Sequence, residues 1–155
     1  MTAERVRRQR VAAYGVCVQD GQVLLARWVG GDGTHAWTVP GGGLDHGEDP
    51  YDAVIREVRE ETGYEVVPEL LLGVDSRQLI DPPFARNKVP TDFHSLRIVY
   101  AARVTGGSLQ HETNGSTDLA AWIPLSEVAG LERVSLVDIA LELYRSRPAH
   151  GRVSA

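Results

Sequence analysis

GGLDHGEDPYDAVIREVREETGY, residues 42–64, is the stretch on which the reading of this chain turns. Its centre is a helix with both ends specified. Asp49 suits the N-cap, Pro50 suits the first helical position, and Gly63 supplies a left-handed stop. Between them Tyr51, Ile55, Val58 and Thr62 recur at helical spacing, and this arc is expected to press against a sheet. Glu57, Glu60 and Glu61, at i, i+3 and i+4, then share a different face. Like charges so placed repel, and carboxylate oxygens at this spacing suit a hard cation such as Mg²⁺ or Mn²⁺. The competing explanation is a solvated acidic face with an ordinary Arg56–Glu60 ion pair, and three acids alone would favour it.

The whole segment resembles the Nudix box, G-x5-E-x7-R-E-U-x-E-E-x-G-U, where U is bulky and apolar. Gly42, Glu48, Arg56, Glu57, Val58, Glu60, Glu61 and Gly63 all stand in their places, and Tyr64 alone departs from the usual aliphatic residue. Trp37, Pro40 and the later Ala121-Trp122-Ile123-Pro124-Leu125 also look like family features. With the box complete, the balance moves from a solvated face to a metal site. The resemblance implies an α/β fold, an α/β/α sandwich around a central mixed sheet. It also implies Glu57, Glu60 and Glu61 as principal metal ligands, a carbonyl of Gly41 or Gly42 as a further one, and Glu48 with Arg56 as the pair that holds helix and loop in register. Proteins of this family often recruit another acid from outside the box. Here the candidates are Glu112 and Asp118, with Glu112 preferred because Asp118 sits where a turn would use it.

Working outward, residues 11–18 and 22–28 are apolar runs separated by Gln19-Asp20-Gly21, a hairpin signal. Residues 30–36 are Gly-rich and read as a loop before the Pro40–Gly43 run, whose bare backbone permits close approach to a ligand or metal. Strands are expected over 65–74, 95–104 and 120–124, a helical turn over 126–132 and a closing helix over 135–145. The intervening DSRQLIDPPFARNKVPTDFH, residues 75–94, reads as a long irregular insertion, and such segments often select ligands. Arg77, His94 and Arg97 flank it as candidate substrate contacts, Arg86 lies within it, and Trp28 or Trp37 could stack on a base. Pro82 and Pro83 resemble, at a somewhat greater distance, a proline found downstream of the box in ADP-ribose hydrolases.

The chain has 155 residues, of which 43% are hydrophobic and 24% charged, an ordinary globular balance that fits one domain over 11–146 between flexible ends at 1–10 and 147–155. A net charge of -5 argues against general binding to nucleic-acid backbone. Arg5, Arg7, Arg8 and Arg10 read as a solvated chain start without a function. The lone Cys17, in an apolar run, reads as a buried packing residue. No stretch is long and apolar enough to span a bilayer and no signal-peptide pattern opens the sequence, so a cytoplasmic location is expected.

Together these features predict a divalent-metal-dependent hydrolase that cleaves a pyrophosphate linkage in a nucleoside diphosphate joined to another group. ADP-ribose, a nucleotide sugar or a nucleoside triphosphate would fit, and the partner is a small nucleotide-like molecule. A homodimer is compatible with the sequence. The alternative is a non-catalytic nucleotide-sensing module of the same fold, which would be expected to have lost some of its acids. A structural calcium site is disfavoured by the lack of an EF-hand loop.

Overall fold

Strand β1, Val6–Val16, alternates its side chains between two cores. Ala12, Tyr14 and Val16 join one, and Ala13 and Cys17 join the other. A computed structural model describes residues 4–85 and 88–153 of the chain. It places β1 inside a four-stranded sheet with β5 (Gly41–Gly43), β7 (Thr91–Gly107) and β6 (Tyr64–Ile80), in the order β5-β1-β7-β6. The β1–β7 pairing is parallel, and the β5 and β6 pairings are antiparallel, which makes the sheet mixed. A second sheet is built on β3 (Gln22–Val29), paired with β2 (Val18–Gln19), β4 (His35–Thr38) and β8 (Thr117–Pro124). The Asp20-Gly21 hairpin closes as expected, with Gln19 opposite Gln22 and both turn residues at positive φ.

Helix α1, Pro50–Thr62, packs on one side and α2, Ser135–Ser146, on the other. α1 brings Ala53, Val54 and Val58 to the core that holds Ala13 and Cys17, and α2 brings Leu136, Val137, Ala140 and Leu143 to the core that holds Tyr14 and Val16. This is the expected α/β sandwich. Cys17 is 1% exposed, and burial pushes its thiol up to about 12, so it packs rather than reacts.

The caps of α1 form as read. Asp49 Oδ1 accepts from the Tyr51 N–H at 2.8 Å, and Gly63 turns left-handed at φ 82°. Its buried arc is rotated from expectation, because Ala53, Val54, Val58, Glu61 and Thr62 are buried whereas Tyr51 is 43% exposed. The cause lies on the sheet. A Cβ at Gly15 would stand 3.2 Å from Val54 Cγ2 and 3.3 Å from Val58 Cγ2, so the helix approaches β1 closely there and turns Glu61 inward.

Within three segments expected to be irregular, described residues form strand or pair with the sheet. β1 starts at Val6, where the Val6 N–H donates to the Pro90 carbonyl at 2.9 Å and Val6 pairs with Thr91. Its first six residues are exposed, so pairing holds them and burial does not. The insertion read over 75–94 is largely the ends of β6 and β7, paired from Asp75↔Arg97 to Ile80↔Asp92, with a connection only at 81–90. Arg86 lies outside the described residues. Beyond α2 the chain turns back, and Gly151 accepts from the Val74 N–H at 2.9 Å while Val153 packs on the α2-side core. Among the described residues no helix is long and apolar enough to cross a membrane.

Candidate active site

The acids of α1 meet β5 along the edge of β1. Gly41, Gly42 and Gly43 form a short strand here and not a loop, opposite Tyr14, Ala13 and Ala12. A Cβ at Gly42 would stand 2.8 Å from the Glu57 carboxylate carbon, so a side chain there would displace the carboxylate from the space it uses. Glu61, 3% exposed, accepts from the Gly41 N–H at 3.3 Å. Burial first, and then the charge of Glu57, pushes the Glu61 carboxyl well above its ordinary range. Glu57 is also raised, mainly by burial, although its contact with Arg56 opposes the shift.

Arg56 organises the outer side of the cluster. Its Nη2 donates to Glu48 at 2.7 Å and to the Gly43 carbonyl at 3.2 Å, and its Nε donates to Glu48 at 2.9 Å. Its Nη1 donates to Glu57 at 3.0 Å and reaches Glu60 at 3.4 Å. The helix is thereby tied to the glycine strand. The bonds from Arg56 hold the Glu48 carboxyl down to about 2.

The three box acids do not converge on a single point. Glu60 is half-exposed and turned toward Arg56, and among the described residues no group of three or more His, Cys, Asp or Glu side chains is gathered closely enough to hold a metal ion. What draws together is Glu57 and Glu61, with the charge of Glu112 raising both. Glu112 accepts from Thr117 Oγ1 at 2.6 Å. Asp118, the other candidate, is committed elsewhere through Arg27, at 2.7 and 3.0 Å.

A cleft of about 840 Å³ opens from Gly41, Gly42, Glu57 and Glu61 along the sheet. Arg77 and Arg97 line it, the latter 8% exposed and ion-paired with Asp75. His94 does not. Strand alternation turns it to the opposite face, where it meets Ser76 at 2.8 Å and Gln9 at 3.2 Å. Trp28 lines the cleft at 39% exposure, whereas Trp37 packs on the α2-side core. Sequence reasoning missed Arg8, Arg10, Phe84 and Phe93, all of which line the cleft. The alternation of Arg8 with Arg10, and of Phe93 with Ser95 and Arg97, is the strand-period signal that could have found them. Tyr64, the departure from the box, accepts from Trp122 Nε1 at 3.0 Å and packs on its ring at 5.8 Å between centroids.

Comparison with known proteins agrees with this geometry. The family model described as NUDIX domain matches residues 6–144. The human 8-oxo-dGDP phosphatase NUDT18 is 32% identical over 146 residues, covering 90% of this chain and 40% of that protein. The ADP-ribose pyrophosphatase of Methanocaldococcus jannaschii is 33% identical over 100 residues, covering 64% of this chain and 54% of that protein. The chain thus spans about half, or less, of the length of these curated relatives. A solved NUDIX hydrolase from Nitrosomonas europaea superposes with a TM-score of 0.75 at 25% identity, covering 93% of each chain.

Proposed function

The chain belongs to the NUDIX family, and on that premise we propose that it is a divalent-metal-dependent pyrophosphohydrolase acting on a nucleoside diphosphate joined to a further group. The observation that carries this reading is the Glu57–Glu61 pair, Glu61 buried and Glu57 half-buried against glycine backbone, at the head of a cleft lined with arginines. Two adjacent carboxylates that burial first, and then the charges of neighbouring acids, drive toward protonation form a donor set that a hard cation would relieve. Glu57, Glu60 and Glu61 would hold it, with Glu112 and a carbonyl of Gly41 or Gly42 as further donors. A bound Mg²⁺ or Mn²⁺ supplies neutralisation of phosphate oxygens and a more acidic water.

The chain's own groups do the rest. Arg56 orients Glu57, and the Gly41 N–H fixes Glu61. Arg10, whose Nη1 donates to the Tyr14 hydroxyl at 3.3 Å, lies beside Gly43 and faces the place where a phosphate would enter. The names of the relatives, an 8-oxo-dGDP phosphatase and an ADP-ribose pyrophosphatase, agree in cleaving phosphate anhydrides and differ in what is attached.

The test is turnover with Mg²⁺ of a panel of ADP-ribose, nucleotide sugars, dinucleoside polyphosphates and nucleoside triphosphates. At least one should be cleaved, excess EDTA should abolish the reaction, and Glu61→Gln should lower turnover by orders of magnitude with circular dichroism unchanged. A full rate in EDTA, or wild-type turnover by Glu61→Gln, would reject the proposal.

A further inference from the structure

The cleft has an aromatic surface at each end, with unpaired cations between them. At the acid end Trp28 lies opposite Thr117, the residue that holds Glu112. At the other end Phe84 and Phe93 meet edge to face at 5.1 Å between centroids, and Phe84 is 57% exposed. Strand register sets the distance from the acids to the second surface. Gly41, beside Glu61, is level with Tyr14, and Phe93 is level with Arg8. Those rungs are separated by six residues of one strand, or about 20 Å at the ordinary rise per residue.

Between them, Arg10 and Arg77 flank Ser95 on a single rung across three strands. Of the arginines lining the cleft, Arg97 is neutralised by Asp75, whereas Arg8, Arg10 and Arg77 have no carboxylate within ion-pair distance among the described residues. In a chain of net charge -5 these free guanidiniums form a track for polyanion oxygens. A mononucleotide held with its phosphates at the acids can reach one aromatic surface. Only a molecule with a flat ring at each end of a phosphate chain can use both and lay its charge along the track.

We propose that the preferred ligand of this cleft is two-ended, a dinucleoside polyphosphate, with one base on Trp28, the other against Phe84 and Phe93, and the phosphate chain over Arg10 and Arg77. This rests on the acid cluster being the reacting end, as in the proposed function, but its test does not depend on turnover.

The probes are methylene-bridged analogues of diadenosine tetraphosphate and of ATP, whose P–C–P links resist hydrolysis. Their binding to the full chain in Mg²⁺ is measured by titration calorimetry. The two-ended analogue should bind at least about tenfold more tightly, toward the low end of what stacking one additional base supplies. Phe84→Ala, at a largely exposed position and with circular dichroism unchanged, should remove that advantage and change ATP-analogue affinity by less than about twofold. Trp28→Ala should weaken both analogues. Equal affinities in the wild type, or Phe84→Ala weakening both analogues alike, would overturn the proposal. Preferential binding of the two-ended analogue by a chain that cleaves nothing in the substrate panel would uphold this inference and sink the hydrolase reading. Cleavage without any preference would do the reverse.

Discussion

Strand β1 passes through two environments, and its residues change character at the boundary. From Ala12 to Val16 it is buried between two helices, with small or apolar side chains on both faces. From Val6 to Val11 it is exposed, mostly basic or polar, and held by pairing with β7. The adjoining end of β6 shares that second character, while the start of β7, between them, is polar but covered, with Thr91, Ser95 and Arg97 buried. The inner half specifies the fold and presents the acids, and the outer half extends the sheet beyond the helices as a platform for a ligand. Continuous strands therefore join the proposed reacting end to the proposed ligand platform.

The largest effect expected from this division is in stability. Leu136→Ala, at a position 2% exposed, should cost about 2–5 kcal/mol in urea unfolding through the lost contacts and the cavity left behind. Ile80→Ala, 53% exposed on the outer half, should stay within about 0.5 kcal/mol. A comparable loss at Ile80 would erase the boundary.

A smaller effect is expected on binding. Arg77→Ala should raise KM about tenfold, worth about 1.4 kcal/mol, with kcat and melting temperature unchanged. If kcat fell and KM held, the outer half would share in the chemistry.

The smallest expected effect concerns the seam that Arg56 makes between helix and glycine strand. The Glu48 carboxyl is held down to about 2 by Arg56, from an ordinary 4.5. A depressed carboxylate stabilises the fold fully above its unfolded value, and that contribution fades as pH falls from about 4.5 to about 2. The difference in melting temperature between wild type and Glu48→Gln should therefore be constant near neutrality and close across that acid window. A gap that persisted at pH 2 would mean that Glu48 acts by packing.

What the sequence made legible follows the same division. Helix α1 was readable to its caps, because Asp49, Pro50 and Gly63 act locally. Its buried arc was misplaced because the close approach at Gly15 is a tertiary fact that helical periodicity does not contain. The outer ends of β6 and β7 read as an irregular insertion because a strand outside the core lacks the apolar alternation by which strands are recognised. The same blind spot left Arg8 and Arg10 without a role and set His94 among the cleft residues. Among the candidate site residues, Glu48, Arg56, Glu57 and Glu61 meet at the glycine strand, while Glu60 turns outward. Asp118, read as a turn residue, is instead ion-paired with Arg27.

Strand β6 lies at the outside of its sheet and is 17 residues long, with Val67, Leu70, Leu71 and Val74 exposed along it. A strand of this kind is a template on which other chains can add and aggregate. The returning tail interrupts that template where Gly151 binds Val74, and it comes so close that a Cβ at Gly73 would stand 2.2 Å from the Gly151 carbonyl oxygen. Gly73 is thus what lets the tail sit on this edge. A side chain there would push the tail away and leave an unguarded edge for the next molecule, even with every residue of the cleft in place.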